Sequence, residues 1–75
     1  MDDRTTKTFW LNYHKNAGND KNKSGLESLQ LKLKEWISMQ QGLAEEFPES
    51  SKIYTQQISI YEAELAAVES LLQEL

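Results

Sequence analysis

His14 is the single histidine of this 75-residue chain, and there is no cysteine. Those two facts remove most side-chain chemistry. Thiolate–imidazole zinc sites need several such ligands, and no disulfide can form. A nucleophilic mechanism needs a base beside a nucleophile and a third group to orient the base. No Ser/His/Asp set can be completed around His14, and no glycine-rich phosphate loop is present. His14 therefore reads as a structural histidine. The other chemistry-bearing residues are glutamates. Glu62 and Glu69 are seven apart and share one helical face. Bundled carboxylate metal sites add histidines and matching carboxylates from facing helices, which this chain does not supply. The expectation is a protein with no catalytic residue, no cofactor and no metal.

A second candidate for chemistry is the stretch Lys7, Phe9, Trp10, Tyr13, His14 and Lys15, which interleaves basic and aromatic side chains. Single-stranded nucleic acid is bound in this way, by stacking and phosphate contacts. The same composition suits a short segment that docks its rings on a helix. Charge favours docking. Residues 1–25 hold five basic and three acidic side chains, a net of +2, whereas residues 26–75 hold three lysines and nine glutamates, a net of −6. An acidic body is poorly suited to duplex phosphates, so nucleic acid remains an alternative carried by residues 4–23 alone.

These residues must be positioned by helices. Leu26, Leu29, Leu33, Trp36, Gln40, Leu43 and Phe47 are spaced 3, 4, 3, 4, 3, 4. That is a heptad seam with one polar member, Gln40, which can fix register. Ser24-Gly25-Leu26-Glu27 reads as a capping box that starts this helix. Gly42 weakens its last turn, so it ends either near Gln41 or near Glu46. Pro48 breaks the pattern and suits the first turn of a following helix. There, Tyr54, Ile58, Tyr61, Leu65, Val68, Leu72 and Leu75 form a matching seam. The prediction is an all-α chain: an antiparallel, coiled-coil-like hairpin with helices over about 25–46 and 51–75, roughly 33 Å long, and a turn at 47–50. Residues 1–23 read as a flexible arm carrying the aromatic cluster 9–14. That cluster alternates like a strand at Phe9, Leu11 and Tyr13. It also fits a short third helix through Trp10, Tyr13 and Ala17, stopped by Gly18.

A domain of this size buries only about 60% of its unfolded surface, so it needs regular packing or a partner. The seams in fact overflow. Ile53, Ile60, Ala67 and Leu71 form a second apolar row on the second helix, and Leu31, Ile37 and Met39 fall outside the seam of the first. A widened stripe implies more than one neighbour. From Ile53 to Leu75 there are four glutamates and no lysine or arginine. The expected partner-binding face is therefore Ile53, Ile60, Ala67 and Leu71, rimmed by Glu64, with Trp10 and Tyr13 either covering it or joining it in gripping a partner.

The functional expectation is a small non-enzymatic module, an adaptor, inhibitor or co-chaperone, whose helix face binds another protein. A homodimeric four-helix bundle is the structural alternative. The heptad helix, short turn, Tyr54 and the run Glu62-Ala63-Glu64-Leu65-Ala66-Ala67-Val68-Glu69 resemble the small helical-hairpin co-chaperones of type III secretion systems. That resemblance spans Leu26 to Leu75 and implies a hairpin holding an aggregation-prone subunit; it does not account for the aromatic arm. No apolar run reaches the 18 residues of a membrane span. Met1 to Thr6 lacks a basic-then-apolar leader, so the expected location is the cytoplasm. Asn22-Lys23-Ser24 is then a chance glycosylation sequon.

Overall fold

The computed structural model describes residues 2–75. Their regular structure is helical: α1 (Lys7–Asn16), α2 (Lys23–Glu46) and α3 (Ser51–Gln73), with short 3-10 turns at Asp3–Thr5, Asn19–Lys21 and Pro48–Ser50.

The aromatic cluster resolves as helix, not strand. Thr6 has extended backbone angles, and its hydroxyl accepts from the Phe9 amide at 3.3 Å, which caps α1. Gly18 ends the segment with φ of +79°, a left-handed conformation that glycine adopts without penalty. A ten-residue helix is too short to persist alone in water, so docking must stabilise α1. Residues 1–23 are thus not a loose arm throughout, because Leu11 of α1 packs against the main core.

The capping box expected at Ser24 and Glu27 gives way to a cap two residues earlier. The Asn22 side chain accepts from the Gly25 amide at 3.0 Å, and α2 starts at Lys23. Asparagine caps at least as well as serine. A Cβ at Gly25 would lie 2.6 Å from the Asn22 side-chain nitrogen, so a larger residue there would make the capping side chain shift. At the other end α2 runs through Gly42 to Glu46 and stops at Phe47, whose amide still donates to the Leu43 carbonyl at 2.8 Å. Pro48 opens the 3-10 turn that leads into α3.

α2 and α3 pack antiparallel as a hairpin. The Gln30 amide donates to Glu69 at 2.9 Å, and the rings of Trp36 and Tyr61 are 5.7 Å apart, so residue numbers rise on one helix as they fall on the other. α1 packs on α3. It runs in the same direction as α3: Arg4 and Thr5 share a shallow cleft with Gln56 to Ile60, and His14 reaches Glu64.

The core consists of Leu26, Leu33, Val68 and Leu71, with Leu11, Leu29, Tyr61, Leu65 and Leu72 packed around it. Full burial of each such side chain contributes about 1.5–3 kcal/mol. This core sits at the end where α1 joins the hairpin. Toward Pro48 the same seams lose cover: Leu43, Tyr54 and Ile58 are half-buried, and Trp36 and Phe47 are exposed. No helix is long and apolar enough to cross a membrane among the described residues.

Candidate protein-docking face

The second apolar row of α3 is divided. Ala67 and Leu71 have no exposed surface. They are interior residues, a correction to their expected place on an outer face. Ile60 is half-buried beside Arg4 and Thr5. Ile53, one heptad further toward the turn, is 60% exposed. The physical reason is the reach of the N-terminal segment. α1 and its preceding turn cover α3 up to about Gln56 and no further.

Glu64 is also placed differently from the expected rim. It lies half-buried, with its carboxylate 3.0 Å from Nε2 of His14. The imidazole is 2% exposed, and the Asn19 side-chain amide donates to its Nδ1 at 3.1 Å. With Nδ1 accepting, the ring proton belongs on Nε2, aimed at Glu64. One buried ring is thus satisfied at both nitrogens, and it ties α1 and the following turn to α3. The sequence holds a signal for this pair. Ile60, Glu64, Ala67 and Leu71 are spaced 4, 3, 4, so Glu64 is a carboxylate in a seam, and a buried carboxylate requires a partner.

Trp10 and Tyr13 serve the arm itself. The Trp10 indole N–H donates to the Arg4 carbonyl at 2.6 Å, and its ring meets Phe9 and Tyr13 edge-on at 5.0 and 5.4 Å. Tyr13 also sets its edge against the His14 ring at 5.2 Å, while more than half of its surface stays in water. Before α1, Asp2 caps the first turn and pairs with Arg4 at 2.7 Å. The Arg4 hydrogen bonds hold the Asp2 carboxyl down at about 2, and Asp2 in turn raises the Arg4 guanidinium.

The open surface is at the turn end, and it is built mainly from α2. Trp36, Met39 and Leu43 are spaced 3 and 4, so they share one side of that helix. Met39 is 57% exposed, Phe47 47% and Trp36 37%, and Ile53 stands just across the turn. Around them lie the exposed carboxylates of Glu35, Glu45, Glu46 and Glu49 and three exposed lysines, Lys32, Lys34 and Lys52, with Lys32 on the same helical line as Trp36, Met39 and Leu43. None of these seven is in an ion pair among the described residues. Sequence reasoning missed Trp36 and Phe47 because both occupy seam positions. Leu31, also exposed, is two residues from Leu33 and so points away from the hairpin seam.

Among the described residues, no three acidic or histidine side chains gather closely enough to hold a metal ion. No protein-family model matches the chain, and no curated protein or solved structure is similar to it. Function must therefore be argued from the surface itself.

Proposed function

We propose that this protein is a small non-enzymatic interaction module of the cytoplasm, an adaptor, inhibitor or co-chaperone, that binds another protein through the turn end of its hairpin. One observation carries this reading: Trp36, Met39, Phe47 and Ile53 stay exposed at the end that α1 does not reach. Scattered apolar side chains on a surface are ordinary, but a cluster with a charged rim is the usual mark of a binding site. The face expected on α3 thus moves toward Pro48 and keeps only Ile53 of its fully buried or exposed members. The outline of α2 and α3 supports a co-chaperone as one form of this module. Phe9 and Trp10 are half-buried against this chain's own residues, which favours protein over single-stranded nucleic acid as the ligand.

Site-specific photocrosslinking in the native host tests the proposal. A photoreactive residue at Met39 or Ile53 should trap an adduct of one common mass. The same probe at Leu31, exposed on another side, should not. Equal trapping from all three positions, or none from any, would refute it.

A further inference from the structure

α2 carries a line of residues that its own hairpin leaves open: Lys32, Trp36, Met39, Leu43 and Glu46, spaced 4, 3, 4, 3. That spacing keeps them on one side of the helix. Leu43 is half-buried and the other four are exposed. The line is apolar in its middle, cationic at its N-terminal end and anionic at its C-terminal end. Neither Lys32 nor Glu46 is in an ion pair among the described residues. The two charges are also symmetrically placed, since Lys32 lies seven residues before Met39 and Glu46 seven after it. Lys34 and Glu45 each stand two residues from a member of the line, about 200° around the helix, and so do not enter it.

This pattern is complementary to itself when reversed. A two-fold axis at Met39 lays α2 of one copy antiparallel to α2 of another. Lys32 of each copy then meets Glu46 of the other, and Met39 meets Met39 on the axis. Trp36, three residues before the axis, comes beside Leu43 of the other copy, four after it. Glu35 falls opposite Leu43 rather than another carboxylate. A parallel pairing would instead set Lys32 against Lys32 and Glu46 against Glu46, so the charges select the antiparallel one. We infer that a second copy of this chain covers the open face in the free protein, through an antiparallel α2–α2 contact centred on Met39. This rests on the reading of the turn end as the docking surface, and it names what sits there before another protein arrives. The other protein then has to displace the second copy from Met39. Fifteen residues of one helix, about 21 Å long, bury less than the roughly 1,200–2,000 Å² of a lasting interface, so the pair exchanges.

The test is sedimentation of the full chain across a concentration series, with charge reversals at the exposed ends of the line. The parent should pass from monomer to dimer as concentration rises. Lys32→Glu and Glu46→Lys should each weaken dimerisation roughly tenfold, because each sets like charges face to face. Helical circular dichroism should stay unchanged. An equimolar mixture of the two variants should dimerise within a few-fold of the parent, since one chain then holds glutamate at both positions and the other lysine. Only a contact between copies gives that rescue. The chain has no cysteine, so an introduced thiol reports the register: Met39→Cys should oxidise to a linked dimer, and Leu31→Cys, on another side of α2, should not. A parent that stays monomeric at every concentration overturns the inference. So does a dimer indifferent to both reversals, a mixture without rescue, or equal linkage at Leu31 and Met39. The proposed function is decided separately. If the dimer behaves as expected but photocrosslinking in the host traps no other protein, the inference stands and the proposed function falls. If the chain is monomeric and Met39 and Ile53 still trap another protein, only the inference falls.

Discussion

The two ends of the hairpin are built from the same heptad spacing and end up with opposite surfaces. Where α1 joins, Leu26, Leu33, Val68 and Leu71 lose essentially all contact with water. Near Pro48, the equivalent seam positions Leu43, Tyr54 and Ile58 are only half-buried, and Phe47 is largely exposed. Seam spacing sets the direction in which a side chain points. It does not set how deeply that side chain is covered. Two helices in contact shield one stripe each, and a third element is needed to close the sides. At one end that element is α1, held by Leu11 and the His14–Glu64 bond. At the other it is absent among the described residues.

This contrast can be broken at the covered end first. Leu71→Ala or Leu33→Ala should cost about 2–5 kcal/mol in urea unfolding, a large part of the stability of a domain this small. Ile53→Ala should stay within about 0.5 kcal/mol of the parent. Similar losses at the two ends would show that the turn end is as well packed as the other. His14→Ala comes next. It leaves Glu64 half-buried without its donor, at about 1–3 kcal/mol. Amide exchange should show α1 losing protection while α2 and α3 keep theirs. Glu64→Gln retains an acceptor for the Nε2 proton and should cost much less.

The open end can instead be strengthened. Gly42→Ala should raise stability by about 1 kcal/mol, because Gly42 lies within α2 and nothing stands within 4 Å of a Cβ added there. A loss in the urea midpoint would mean that the flexibility of glycine is needed there. The smallest effect is at Asp2. Its folded pKa of about 2 lies below its ordinary 3.8, so any stabilisation it lends is present above about pH 4 and lost as pH falls through 2. The carboxyl is exposed, so Asp2→Asn should leave the melting temperature almost unchanged. An NMR titration of the parent chain should show the depressed Asp2 midpoint.

Much of the fold was legible in the residues. Pro48 and the two 3,4 progressions define the hairpin, and Gly18 marks where the aromatic helix stops. Ser24 and Glu27 match the capping-box pattern and so outweigh Asn22 in the sequence, although the Asn22 side chain and the Gly25 amide form the actual cap. The site was less legible. Periodicity assigns Ala67, Leu71 and Ile53 to one row and cannot say how far along it α1 reaches. Glu64 read as a rim residue because its partner lies 50 positions away, and no local pattern announces a bond at that separation.

α3 is the partner of both other helices, and it is also the last of the three along the chain. Synthesis runs from the N-terminus, so α1 and α2 emerge before either has the surface it is built to cover. The apolar side of α2, Leu26 to Leu43, stays wet until α3 follows. A ten-residue α1 cannot hold its helix in the interval. Each of the two earlier helices has its main packing partner in α3, so the surface that joins them is supplied last. Any truncation within α3 would remove not one helix of three but the common support of the other two.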